Sequence, residues 1–163
     1  MQFSENLDHL LSVKPLITVT ITITIIALLE ASFSMHASEG SNDFIEPVLK
    51  AANNGNATAQ ALVGTMYYYG YGVTQDYETA LLWYQVAAEA GEVSAQATLG
   101  RMHYLGHAVG QNLVQAHKWY DIASMNGHED AGNYRYRVSE KMTKDQIIEA
   151  QELASSWIYN FKN

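Results

Sequence analysis

The amino-acid sequence predicts an all-α protein in which helix pairs repeat and stack side by side as a solenoid. Three observations lead to this fold class: a period of 36 residues, apolar residues at helical spacing within each period, and glycines where each predicted helix ends. A repeat of this length is one supersecondary unit that cannot bury its apolar face alone and has to stack on copies of itself. We therefore expect two complete units, residues 56–91 and 92–127.

The period appears when the chain is aligned with itself at an offset of 36 residues. Many residues of the first unit recur unchanged in the second. They are Ala59, Gln60, Ala61, Gly64, Met66, Tyr68, Gly70, Val73, Gln75, Ala80, Trp83, Tyr84, Ala87 and Gly91, which recur as Ala95, Gln96, Ala97, Gly100, Met102, Tyr104, Gly106, Val109, Gln111, Ala116, Trp119, Tyr120, Ala123 and Gly127.

Each unit is predicted to hold two helices, named helix A and helix B. In the first unit, helix A runs from Asn56 to Tyr69, because small and apolar residues recur at i, i+4, i+7 and i+8. The glycines at positions 70 and 72 supply the positive φ angles that a helix end and a tight turn require. Helix B is opened by Asp76 or its neighbour and is closed by Gly91.

Two residue types inside the units are expected to control packing. Gly64 and Gly100 lie inside helix A, where glycine costs about 1 kcal/mol relative to alanine. We expect the backbone of a second helix to approach too closely there for a side chain. Trp83 and Trp119 on helix B are predicted to lie in the core, since they stand beside alanines at helical spacing in both units.

The ends of the array depart from the pattern. Residues 38–55 are predicted to be a short linker followed by a helix that covers the first unit. Residues 128–163 are predicted to be a degenerate repeat and a C-terminal capping helix, with Tyr136 where glycine is expected. Thr143 and Gln146 form a capping-box signature at the start of that last helix, and one apolar face follows it.

The recurring string A-Q-x-x-[VL]-G-x-M-[YH]-x-x-G-x-x-V-x-Q-[DN]-x-x-x-A-x-x-W-Y-x-x-A-x-x-x-G resembles the Sel-one-like repeat, a relative of the tetratricopeptide repeat. The resemblance covers Phe44 to Asn160. It implies antiparallel helix pairs in a right-handed superhelix, and a role as adaptor or scaffold instead of catalyst. The second unit departs from the family pattern at His103 and at Ala108, where the family prefers tyrosine and glycine. The turn at Ala108 is therefore expected to be strained or altered.

Composition excludes several classes of protein and site. The 163 residues are 48% hydrophobic and 16% charged, enough for one domain with a core. The absence of cysteine excludes disulfides, thiolate metal sites and a cysteine nucleophile. A net charge of −8 opposes nucleic-acid binding. A cluster of basic residues near the C-terminal cap is interleaved with acidic ones, which favours a solvated face over a basic docking patch. It comprises Arg135, Arg137, Lys141 and Lys144.

Residues 1–37 lie outside the repeats and are predicted to be a signal peptide or a membrane anchor. Leu16 to Leu29 is an uncharged run of 14 residues, which suits a signal-peptide core, whereas a membrane-spanning helix needs about 20 residues. Small residues follow it, and cleavage is expected near Ala37. We expect a secreted, periplasmic protein, and the alternative is a chain anchored in the inner membrane by an uncleaved N-terminus.

No residue pattern indicates catalysis. The sequence contains no G-x-S-x-G, phosphate-loop or H-E-x-x-H motif. His103 and His107 have metal-ligand spacing, but a glycine intervenes at the predicted helix end, so we expect neither a metal site nor a cofactor. The prediction is a protein without enzymatic activity.

In tetratricopeptide-like solenoids helix A lines the concave side, so its residues outside the core are the candidate partner-binding site. Aromatic side chains with one arginine match the composition of interaction hot spots. The alternative is that the tyrosines pack between adjacent units. The candidates are Leu62, Thr65, Tyr68, Tyr69, Thr98, Arg101, Tyr104 and Leu105.

The sequence thus predicts an adaptor or scaffold of the cell envelope that binds a peptide or helix of another protein on its concave face. The partner is not a nucleic acid, and contact with a membrane would involve only an uncleaved N-terminal segment. One alternative is a membrane-tethered regulator of an envelope partner. Another is a peptidoglycan-binding protein or hydrolase, which the resemblance allows but no group of residues supports.

Overall fold

The structure, a computed structural model, describes residues 45–162. Within this part of the chain all regular elements are helices, seven in number, which confirms the predicted all-α repeat fold. The predicted signal peptide or anchor, residues 1–37, lies outside the described residues. Helix α1 occupies residues 45–53, and the others are α2 (Ala57–Tyr69), α3 (Tyr77–Glu89), α4 (Val93–Leu105), α5 (Leu113–Met125), α6 (Ala131–Ser139) and α7 (Lys144–Lys162).

The helix ends follow the predicted capping residues. The Asn56 side chain accepts a hydrogen bond from the Ala59 amide at 2.8 Å, and Asp76 accepts from the amides at the start of α3. Gly70 ends α2 and Gly106 ends α4, with φ of 75° and 77°. Glycine reaches this left-handed conformation without the steric cost that a side chain brings. The helix pairs α2–α3 and α4–α5 therefore begin and end as the period predicts.

The contact between the helices of one pair is a tyrosine ring lying on a glycine. A Cβ atom at Gly64 would lie 3.0 Å from the ring of Tyr84, and one at Gly100 would lie 2.8 Å from the ring of Tyr120. The expectation that a helix backbone approaches these glycines was wrong. An aromatic side chain fills the space instead, because a flat ring can cover the helix surface only where no side chain rises from it.

Buried glutamines join each unit to the helix before it. Gln96 is fully buried and its Nε2 donates a hydrogen bond to the carbonyl of Ala88 at 3.2 Å. Gln60 makes the same contact with the carbonyl of Ala52 at 3.1 Å, one period earlier. The same carbonyls also accept the backbone amides of Gly91 and Gly55, at 3.1 and 3.0 Å. Each glutamine therefore adds a second hydrogen bond to a carbonyl that has two lone pairs, and it ties its helix to the end of the preceding one.

The turn after α4 is strained, which is one of the two outcomes that the sequence predicts, and it keeps the backbone conformation of the first unit. Ala108 has a φ of 69°, the same conformation as Gly72 in the first unit, where φ is 71°. A residue with a Cβ atom in this region costs about 1–2 kcal/mol. Gln111 holds the turn against the helix, since its Nε2 donates to the carbonyl of Tyr104 at 2.7 Å.

Helix α7 forms the predicted C-terminal cap. The capping box is present: the Thr143 amide donates to Gln146 Oε1 at 2.9 Å, and the Gln146 amide donates to Thr143 Oγ1 at 3.3 Å. Trp157 of α7 meets Trp119 of α5 edge to face, with ring centroids 5.7 Å apart. Trp119 is buried, as predicted, but Trp83 is only half-buried.

Most of the apolar core is one cluster that α2, α3, α4, α5 and α7 share, and a second cluster joins α4, α5 and α6. No helix within residues 45–162 is both long and apolar enough to cross a bilayer.

Replacing Gly100 with alanine tests the ring-on-glycine contact. The new Cβ would lie 2.8 Å from the Tyr120 ring, which is only 5% exposed and cannot move freely. We expect the free energy of unfolding, measured in urea, to fall by about 1–2 kcal/mol, because overpacking outweighs the gain in helix propensity. Gly110→Ala is the control, since nothing lies within 4 Å of its Cβ position. A stabilised Gly100→Ala protein would contradict the packing.

Candidate interaction site

The second unit carries a cleft of about 510 Å³ between α4 and α6. Helix α4 forms one wall and α6 the other, and a residue of α5 lies between them. The lining residues are Ser94, Ala97, Thr98, Arg101, Tyr104, Leu105, Tyr120, His128, Tyr134, Arg137 and Val138.

The structure brings together only half of the predicted partner-binding residues in this cleft. The candidates on α4, namely Thr98, Arg101, Tyr104 and Leu105, all line it. The candidates on α2 do not line it, and they take different positions. Leu62 and Tyr69 are 48% and 46% exposed, Thr65 is half-buried, and Tyr68 is buried.

Tyr68 packs between adjacent units, which was the alternative interpretation of this residue. It is 6% exposed, and its hydroxyl lies 2.8 Å from Nδ1 of His107, beyond α4. The ring of Tyr77 lies 5.1 Å away, and the guanidinium of Arg101 covers the Tyr68 ring at 5.1 Å from its centroid. A side chain enclosed in this way contributes to stacking, and it is not accessible to a partner.

Arg101 links the two units and faces the cleft. Its Nη2 donates to the hydroxyl of Tyr69 at 3.2 Å, whereas its buried Nε has no hydrogen-bond partner among the described residues. Burial acts to lower the pKa of Arg101, but the phenols of Tyr69 and Tyr68 act in the other direction and the net shift is upward. The guanidinium therefore stays charged. Because Nε is enclosed, the donors left for a partner are those of Nη1 and the second hydrogen of Nη2.

Helix α6 supplies the residues that the sequence analysis did not assign to a site. Arg137 stands 36 residues after Arg101, at the same position of the repeat, and it lines the cleft with Tyr134. The neighbouring Arg135 forms an ion pair with Asp121 of α5. The basic cluster near the cap is thus divided between a structural ion pair and the cleft, so it is not a uniform solvated face.

Two further tyrosines complete the walls. The Tyr104 hydroxyl accepts a hydrogen bond from Lys141, whose Nζ lies 4.7 Å from the centre of the ring. Burial raises the pKa of Tyr120 to about 12, although Arg101 acts against it. The Tyr120 phenol is therefore protonated at neutral pH and able to donate a hydrogen bond.

The two histidines with metal-ligand spacing have separate environments. His107 stacks on the ring of Tyr77, with centroids 4.5 Å apart, and its Nδ1 is engaged by Tyr68. His103 is half-buried, and its Nδ1 has no described partner. No group of three or more His, Asp or Glu side chains within the described part of the chain could hold a metal ion.

Comparison with known proteins identifies the repeat. The family model for the Sel1 repeat matches residues 57–92 and 93–128. Among solved structures, a Sel1 repeat protein from Oxalobacter formigenes is 38% identical with a TM-score of 0.54, over 55% of this chain and 68% of that one. A protective antigen of uropathogenic Escherichia coli with an SLR fold is 34% identical with a TM-score of 0.69, over 72% of this chain and 25% of that one.

The curated relatives are similar over a shorter segment. Protein sel-1 homolog 2 of Mus musculus and that of Rattus norvegicus are each 50% identical to this chain over 40 residues. The matched segment is 24% of this chain and 6% of each relative, so these proteins are much longer than the part they share with it.

The imidazole of His117, on α5 beside the ion pair, provides a test of the electrostatics around α6. Burial lowers its pKa, with Asp121 acting to raise the pKa and Arg135 to lower it. In Arg135→Gln we expect the pKa of His117, followed by NMR, to rise, because a cation is lost and the Asp121 carboxylate loses its partner. Lys50→Gln, on α1, should leave it unchanged.

The lowered pKa of His117 also fixes how stability depends on pH. The folded protein favours the neutral imidazole, so its contribution to stability is complete above the ordinary pKa of 6.5 and is lost as the pH falls through the folded-state pKa. His103 has a lowered pKa as well and acts in the same direction. A downward shift of the His117 pKa in Arg135→Gln would contradict the effects attributed to Arg135 and Asp121 on that pKa.

Proposed function

We propose that this chain, which belongs to the Sel1 repeat family, is an adaptor of the cell envelope that binds a peptide or helix of another protein. The proposed binding surface, called here the A face, consists of the exposed side chains of α2 and α4 together with the cleft between α4 and α6.

The family supports the general part of this proposal. Sel1 repeats are in general protein-interaction modules, and their fold is typically a scaffold and not a catalytic one. The stacked units of such a fold offer an extended surface to a partner. We accordingly propose binding without chemistry for this chain.

The observation that carries the proposal is the composition of the cleft. Three tyrosines and two arginines line it, and these residue types are the ones enriched in interaction hot spots. Leu105 extends the cleft towards solvent with 49% of its surface exposed, while Leu62 and Tyr69 on α2 are similarly exposed. An apolar row beside a polar cleft suits one helix or an extended segment of a partner.

The proposed location is the periplasm, reached by removal of the first 37 residues. N-terminal sequencing of the protein isolated from its own cells tests this step. A terminus close to Ser38 in the periplasmic fraction is the expected result, because the small residues before it suit a signal peptidase. An intact N-terminus in the membrane fraction would show the anchored form instead.

Photocrosslinking in the cells that produce the protein tests the A face. A photoreactive phenylalanine derivative replaces Tyr69 or Leu105, both of which are exposed and outside the core. We expect each position to capture the same partner protein, because the two residues lie on one surface. Tyr68 is not a useful position, since a bulky group there would disturb the packing between units.

Leu82 is the matched control, because it is an apolar residue of helix α3 that is 62% exposed. Little or no capture is expected from Leu82. Capture from Leu82 alone, or the same product from all three positions, would contradict the A face as the binding surface.

A further inference from the structure

We infer that the cleft between α4 and α6 recognises an acidic segment of the partner protein, with carboxylates of that segment bound by Arg101 and Arg137. This inference rests on the proposed function, because it names the chemistry of the partner that the A face binds.

Arginine is rare in this chain, and most of it lies at the cleft. The sequence contains only three arginines, at positions 101, 135 and 137. Arg135 is engaged in the ion pair with Asp121, and the other two both line the cleft. Arg101 and Arg137 occupy the same position of successive repeats, so stacking places one guanidinium on each wall.

Neither of these arginines is paired with an acidic group in the part of the chain that the structure describes. The only ion pair among the described residues is that of Arg135, and none of the side chains lining the cleft is Asp or Glu. The chain nevertheless carries 17 acidic residues and a net charge of −8, so carboxylates are abundant elsewhere. Two unpaired guanidinium groups with open donor positions are complementary to carboxylates, which they bind through two parallel hydrogen bonds.

Acidic residues that adjoin lining residues of the cleft indicate where the occupant's charges lie. The carboxylate of Glu92 is engaged by the hydroxyls of Thr58 and Ser94, both at 2.9 Å. Glu129 and Asp130 are exposed and follow His128 in the chain. The negative charges of a partner are therefore expected at the arginines and away from the His128 end, where like charges would repel them.

The tyrosines define what else the segment carries. Tyr104, Tyr120 and Tyr134 offer apolar ring surface as well as hydroxyls, so an acidic segment interspersed with apolar residues fits the lining better than a uniformly charged one. A nucleic acid fits less well. It needs a run of basic side chains along its backbone, and this acidic chain offers two arginines in one short cleft.

Binding of a synthetic peptide tests the inference. A fluorescein-labelled peptide in which Glu alternates with Leu and Tyr is compared with one in which Gln replaces every Glu, by fluorescence anisotropy with the purified chain. We expect the acidic peptide to bind about tenfold more tightly than the Gln peptide, and more weakly as salt is raised. Arg101→Gln and Arg137→Gln should each weaken binding of the acidic peptide about tenfold and leave the Gln peptide unaffected.

Lys50→Gln is the matched control, because it removes one positive charge at an exposed position of α1 outside the cleft. It should bind the acidic peptide like the unchanged chain. Arg101→Lys keeps the charge but not the forked geometry, and an intermediate loss is expected. Circular dichroism of each variant checks that the helices are intact. If Arg101→Gln is unfolded, Arg137→Gln still shows whether the cleft binds acidic segments, because Arg137 lies on the exposed surface.

Three results would overturn the inference. The first is that the two peptides bind equally or that neither binds. The second is that Arg137→Gln binds the acidic peptide as tightly as the unchanged chain does. The third is that an oligothymidylate of equal charge displaces the acidic peptide. Each leaves the adaptor proposal to be decided by crosslinking from Tyr69 and Leu105. Conversely, if Tyr69 and Leu105 give no crosslinks but the acidic peptide binds tightly and depends on the arginines, the adaptor proposal is contradicted and the acidic preference of the cleft is not.

Discussion

The stacking of this protein depends on one contact, in which the tyrosine of helix B lies flat on the glycine of helix A. The contact occurs twice, as Tyr84 on Gly64 and as Tyr120 on Gly100. It sets the distance between the two helices of a pair, because the ring can approach only where no side chain rises from the facing helix. Because the contact recurs in both pairs, helix A and helix B are held together in the same way in each unit. The buried glutamines can then reach the preceding helix in both units with equal geometry.

The two units share this frame but differ at the position of helix A that Thr65 and Arg101 occupy. In the first unit the hydroxyl of Thr65 lies 2.9 Å from that of Tyr84. The second unit has Arg101 at the position of Thr65, so this hydroxyl contact is impossible and Tyr120 borders a cleft instead. At this repeat position a hydroxyl contact in the first unit is thus replaced in the second by an arginine that lines the cleft. This arginine also brings a charge to a face that the first unit keeps neutral.

The period was sufficient to predict the two helix pairs and their ends, and a separate local signature predicted the capping box of α7, because these features depend on local residue types at fixed spacing. It could not predict which of two equivalent tyrosines is accessible. Tyr68 is buried because Tyr77, His107 and Arg101 surround it. One period later, around Tyr104, only the arginine recurs, as Arg137. The contribution of α6 to the cleft was missed for a related reason. The third unit is degenerate, so Arg137 was judged by its charged neighbours and not by its repeat position, which could have revealed it.

The degeneracy of the third unit is what makes a cleft possible. Tyr136 occupies the position of Gly100, and it is 64% exposed, so no tyrosine of a helix B can lie on α6 there. Helix α7 instead packs on α5 and shares the main core cluster, to which no residue of α6 belongs. Helix α6 is held to the second unit through Ala131 and Val138, and no third pair closes over its outer side chains. Arg137 lines the cleft and forms no ion pair among the described residues. The degenerate third unit therefore supplies the second wall of the proposed binding site.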